Sequence, residues 1–158
     1  SYTFNNSVDG TLTVDARPVT FTGESGTKTY NGQEYNLTGV TVSSGKDEGL
    51  VSGQTYNVTA SAKGTTAGTY NGTITAAKDA VIKSGDTDVT GNYTITTTPG
   101  TLTISAIADP ITITAGSGSK VYDGTALTKY EYTSNADGII AAGDKLVVTV
   151  KGSQTDKK

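Results

Sequence analysis

Apolar side chains along this chain recur at every second position in short bursts. Val19 and Phe21 alternate with Thr20 and Thr22, Val40 pairs with Val42, and Tyr56, Val58, Ala60 and Ala62 keep the same beat. Tyr70 with Ile74, Tyr93 with Ile95 and Leu102 with Ile104 complete the set. A period of two marks strands with one buried face. Between the bursts stand Asn31-Gly32, Asn71-Gly72, Pro99-Gly100, Asp123-Gly124 and Asp137-Gly138, residue pairs that accept the backbone angles of tight turns. One stretch, 76–83, has a helix-like composition but is short, and it reads as a strand with a bulge. About seven short strands per roughly 90 residues predict an all-β chain of Ig-like β-sandwich modules. A β-grasp-like module with one short helix is the alternative.

The pattern repeats. Pro18-Val19-Thr20-Phe21-Thr22 and Lys28-Thr29-Tyr30-Asn31-Gly32 return 92 residues later as Pro110-Ile111-Thr112-Ile113-Thr114 and Lys120-Val121-Tyr122-Asp123-Gly124. Gly49-Leu50-Val51-Ser52-Gly53 matches the stretch from Gly138 to Gly143. Tyr2-Thr3-Phe4 and Gly10-Thr11-Leu12-Thr13-Val14 match Tyr93-Thr94-Ile95 and Gly100-Thr101-Leu102-Thr103-Ile104. Self-similarity at a fixed period signals repeat architecture. Residues 15–105 then form one complete module, residues 106–158 an incomplete second one, and residues 1–14 the closing strands of a preceding or neighbouring module. Pro18 and Pro110 stiffen the two junctions, because proline restricts its own φ and the residue before it.

Composition narrows what such modules can do. Only 34% of the 158 residues are hydrophobic and 17% are charged, so the core is thin and the surface is largely threonine hydroxyl and backbone. The net charge is −3, and the longest basic run is Lys157-Lys158, which argues against nucleic-acid binding. No apolar stretch approaches the roughly 18 residues of a membrane span. The chain has no Cys and no His. Disulfides, thiolate nucleophiles, zinc-thiolate sites and the commonest general base are thereby removed. The candidates for a catalytic carboxylate pair, Asp47-Glu48, Asp86 with Asp88, and Asp137, sit in turn-like segments. They read as solvated turns, so no enzymatic activity and no cofactor are expected.

The residues also carry a family resemblance. Gly91-Asn92-Tyr93-Thr94-Ile95, Pro99 to Ile104, and Lys120-Val121-Tyr122-Asp123-Gly124-Thr125 together resemble the MBG-type repeats of large bacterial surface proteins. That resemblance implies an extracellular, cell-surface or cell-wall-associated stalk or adhesin-like repeat without catalytic residues. The first copy departs from the second in having Asn31 where the second has Asp123.

Two functions follow as expectations. In the first the modules are spacers, stalk elements or filament segments, with neighbouring copies as head-to-tail partners. Residues Tyr2, Phe4, Leu12 and Val14 would then complete the second module of a neighbouring chain by strand addition. The plainer account of residues 1–14 is a remnant of a preceding repeat in a longer chain. In the second function, Tyr130 and Tyr132 stack on glycans or touch a host surface protein; a buried alternating strand would show the same spacing. Lesser candidates have plain readings beside them. Tyr30 and Tyr122 anchor turns through their hydroxyls on backbone carbonyls. Asp86, Asp88 and Thr90 offer oxygens for calcium but lack the loop spacing of a calcium site. Lys28 or Lys120 as an isopeptide donor would need a burial that lysines beside turns rarely have. The sequons at Asn36, Asn57, Asn71 and Asn92 are what chance gives in a threonine-rich chain.

Overall fold

A computed structural model describes residues 1–3 and 5–157. The strands run, in chain order, β1 Arg17–Gly23, β2 Gly26–Thr29, β3 Tyr35–Leu37, β4 Val40–Val42, β5 Ser44–Gly45, β6 Glu48–Gly49, β7 Gln54–Tyr56, β8 Ala60–Gly64 and β9 Gly68–Asn71. They continue as β10 Thr73–Ile74, β11 Ile82–Ser84, β12 Thr87–Asp88, β13 Tyr93–Thr98, β14 Thr101–Ser105, β15 Ile113–Ala115, β16 Leu127–Thr128, β17 Tyr132–Ser134 and β18 Ser153–Gln154. The chain is all-β, built from several small sheets and consistent with a sandwich-like fold. It divides into two compact units: Ser1–Ser25, Leu37–Ala62 and Asn71–Thr101 in the first, and Gly26–Asn36, Lys63–Tyr70 and Leu102–Lys158 in the second.

In the first unit β1 lies between β13 and β4. Its pairing with β13 is parallel, from Arg17 opposite Tyr93 to Thr22 opposite Thr98. Its pairing with β4 is antiparallel, with Phe21 opposite Val42. Alternation along β1 sends Val19 and Phe21 inward, where they meet Val58, Ala80 and Ile82 in one buried cluster. Val40, Val42, Leu50, Ile74, Val89, Tyr93 and Ile95 pack around it. The Phe21 and Tyr56 rings stand 4.9 Å apart at 52°, a tilted arrangement that aromatic quadrupoles favour. A second set of pairings orders β12-β11-β7, joining Lys83 to Asp88 and to Thr55.

Glycine has two distinct uses here. At Gly32 and Gly124 the backbone is left-handed, with φ of 78° and 80°, as the turn pairs predict. Gly100 is different: a Cβ there would stand 1.9 Å from the Glu24 carbonyl oxygen. Its role is close approach rather than turn geometry. The stretch 76–83 also departs from expectation. Ala77–Asp79 form a single 3-10 turn, and the strand begins only at Ile82. The chain turns because Asn57 meets this stretch from both directions: its amide donates to the Asp79 carbonyl at 3.1 Å and its side-chain oxygen accepts from Val81 N–H at 2.7 Å.

In the second unit the sheet order is β2-β14-β9. β2 and β14 are parallel, Leu102 facing Gly26 and Ile104 facing Lys28. β15 pairs with β17 and β16 with β18, both antiparallel. Ala136 and Ala141 are buried in this unit. The repeat positions Ile111 and Ile113, equivalent to Val19 and Phe21, are exposed.

Candidate functional site

At the start of β1 three side chains tie the first unit together. The Arg17 guanidinium donates to the Gly49 carbonyl at 2.8 Å and to the Glu48 carbonyl at 2.6 Å. The Tyr93 hydroxyl donates to the Gln54 side-chain oxygen and accepts from Val51 N–H at 3.1 Å. Arg17 and Tyr93 are opposite one another in the parallel register. β1 and β13 are therefore pinned to the same short segment, residues 48–54. Val14, Arg17, Val51, Gln54, Asn92 and Tyr93 border an open cleft of about 440 Å³ beside this cluster. Alternation carried no signal for these bonds, because Arg17 lies ahead of the apolar run.

The second unit holds a different polar contact. Tyr30 N–H extends the β2 and β14 pairing by donating to the Ser105 carbonyl at 2.8 Å. Its turn then closes locally, with Gln33 N–H donating to Asn31 Oδ1 at 2.9 Å. The Tyr30 hydroxyl reaches Asp144 Oδ2 at 2.8 Å. A turn-anchoring tyrosine is thus found, but its acceptor is a carboxylate and not a backbone carbonyl. That carboxylate raises the Tyr30 pKa above its ordinary value, chiefly through the hydrogen bond, with desolvation and the negative charge adding to it. Beside the pair lies a largely apolar cleft of about 330 Å³ bordered by Thr66, Ala67, Ala106, Ile107, Ile140 and Ala141.

The turn of the second repeat keeps the local logic and adds an ion pair. Thr125 N–H donates to Asp123 Oδ1 at 2.9 Å, as Gln33 N–H does to Asn31 in the first copy. The amide oxygen of Asn31 therefore replaces the carboxylate in the turn bond. Lys120 Nζ donates to Asp123 Oδ1 at 2.8 Å and to Thr125 Oγ1 at 2.6 Å. Lys120 first, then the Thr125 hydroxyl and N–H, hold the Asp123 carboxyl down to about 2. Asp123 is well exposed and Lys28 is exposed, which is not the buried environment an isopeptide bond requires.

The remaining candidates are dispersed. Asp88 Oδ1 accepts from Thr90 N–H at 2.9 Å, and the hydrogen bonds from the Thr90 side chain and backbone lower its pKa. Among the described residues no group of three or more His, Cys, Asp or Glu comes together to hold a metal ion. Tyr130 and Tyr132 are both exposed. Tyr132 opens β17 and borders a cleft of about 450 Å³ with Asp137, Asp144 and Lys145, which Tyr130 does not line. Tyr2, Leu12 and Val14 are exposed and belong to no strand. Phe4 lies outside the described residues.

Comparison with family models gives a match to the MBG domain over residues 17–106, more than half of the chain. The chain belongs to the MBG domain family. The matched stretch opens on the first residue of β1 and ends just after β14, so both parallel strand pairs fall inside the MBG domain. MBG domains are structural repeats of surface-associated proteins. Neither the curated proteins nor the solved structures give a match.

Proposed function

We propose that this chain is a load-bearing spacer of an extracellular surface protein, in which MBG modules follow one another as stalk or filament segments. The observation that carries the reading is the parallel pairing of β1 with β13. Tension enters such a module through the start of β1 and leaves through the end of β14. In a parallel pair those pulls run in opposite directions along the strand axis, so the hydrogen bonds are loaded together in shear. An antiparallel terminal pair would instead open one bond at a time. The parallel β2 and β14 pair repeats the device. The module has no Cys, so no disulfide shares the load.

Single-molecule force spectroscopy tests the reading, and the cysteine-free sequence makes handles simple to place. With cysteines at Ala16→Cys and Ala108→Cys the parallel pair is sheared; with Ala16→Cys and Asn92→Cys the same pair is unzipped from one end. The shear geometry should rupture at distinctly higher force at equal loading rate. Equal forces in the two geometries would refute a load-bearing role.

A second reading, glycan or host-ligand binding, draws on the exposed Tyr132 ring at the cleft with Asp137 and Lys145. Glycan-array binding lost in Tyr132→Ala would support it, and silence across a broad panel would count against it.

A further inference from the structure

Asn31-Gly32 and Asp123-Gly124 occupy the same place in the repeat and build the same kind of turn. Gly32 and Gly124 are both left-handed, at φ of 78° and 80°. In each turn the side-chain oxygen of the first residue accepts the N–H two residues on, from Gln33 to Asn31 Oδ1 and from Thr125 to Asp123 Oδ1, both at 2.9 Å. One repeat holds an amide where the other holds an acid. Asparagine before glycine is also the pair in which a backbone nitrogen most readily attacks the neighbouring side-chain amide, because glycine puts no Cβ in the path.

The chain has two such pairs, and the structure treats the attacking nitrogen differently in each. Asn31 is exposed in a turn outside any strand, and among the described residues nothing accepts the Gly32 N–H. The Gln33 N–H on Asn31 Oδ1 draws electron density from the amide carbon and stabilises the negative charge that grows on the oxygen under attack. Asn71 is the reverse case. It ends strand β9, and Gly72 N–H is committed to the Gly100 carbonyl at 2.8 Å.

We infer that Asn31 is a site of spontaneous deamidation, with water as co-reactant, which converts the turn of the first repeat to the acidic form found in the second. Gly32 N bonds to Asn31 Cγ, the Cγ–Nδ2 bond breaks, and the Gly32 proton leaves with the amide nitrogen as ammonia. Water then opens the cyclic imide at either carbonyl, restoring the Gly32 N–H and leaving aspartate or isoaspartate at position 31. The aspartate product keeps the bond from Gln33 N–H. It stands three residues after Lys28, as Asp123 stands three after Lys120, which it holds at 2.8 Å. The isoaspartate product adds a backbone carbon to a turn without slack, since a Cβ at Gly32 would already lie 3.2 Å from the Ala142 carbonyl oxygen and 3.3 Å from Ala141 Cβ.

Peptide mapping by mass spectrometry reads the reaction on the full chain, aged at neutral pH in heavy-oxygen water. Asn31 should take up heavy oxygen at least about ten times faster than Asn71, where the Gly72 hydrogen bond must open before attack. In urea the two rates should converge. Equal rates at the two sites in the folded chain, or an Asn31 that stays intact while both sites convert in urea, would overturn the proposal. Asn31→Asp supplies the product directly. Its urea midpoint should match that of the parent chain, and carboxyl-carbon NMR should find the new carboxylate below the ordinary range, with Lys28→Met raising it. An unshifted carboxylate or a clearly lower unfolding midpoint would overturn the equivalence of the two turns.

Discussion

Truncating Phe21 to alanine measures how much of the module rests on β1. The side chain is 0% exposed at the middle of the cluster formed with Val19, Val58, Ala80 and Ile82. Removing a buried phenylalanine costs about 3–5 kcal/mol, part transfer and part cavity. Of this, about 0.5–1.5 kcal/mol is the loss of the tilted ring pair with Tyr56. A module of roughly 90 residues has about 5–13 kcal/mol in total, so Phe21→Ala should remove a large share of its stability. The repeat supplies the control. Ile113 occupies the position equivalent to Phe21 but is 46% exposed. Ile113→Ala should therefore cost about 1 kcal/mol or less, since little apolar area leaves water there in the first place. Urea unfolding with amide exchange resolved along the sequence separates the two effects. Equal costs at the two positions, or a loss below about 1.5 kcal/mol for Phe21→Ala, would refute the assignment of the core to the first repeat.

Two further predictions concern ionisation. The folded state holds the Tyr30 phenol neutral above its ordinary value of 10.0, so the Tyr30–Asp144 contact is fully present below that pH and is lost as pH rises through the raised value. Amide exchange around Asp144 should accelerate at that pH, and Tyr30→Phe should abolish the step. Asp123 shows the opposite sign. Its carboxyl sits at about 2 against an ordinary 3.8, so the ordering of the Lys120 turn is complete above 3.8 and fades as pH falls through about 2. Carboxyl-carbon NMR should place the Asp123 midpoint near 2, and Lys120→Met should move it back toward 3.8.

The alternation of apolar residues, by itself, determined that the chain is all-β and which face of β1, β13 and β14 turns inward. A period of two is a local property, and burial of one face follows from it directly. The turn pairs Asn31-Gly32 and Asp123-Gly124 were legible for the same reason, since their left-handed glycines answer to steric limits at single residues. The repeat and its family could also be read from residue identities alone. Tertiary structure decided what periodicity cannot encode. Strand direction is one such thing: β1 and β13 lie about 76 residues apart, and no alternation distinguishes a parallel partner from an antiparallel one. The 3-10 turn at Ala77–Asp79 is another, drawn by the distant Asn57. Gly100 gave the signal of a turn yet serves a close backbone approach to Glu24. Phe21 and Ile113 show the limit most plainly, because equivalent places in a repeat differ in burial when different partners surround them. A side chain's pattern fixes the face it belongs to, but only the elements packed against that face remove it from water.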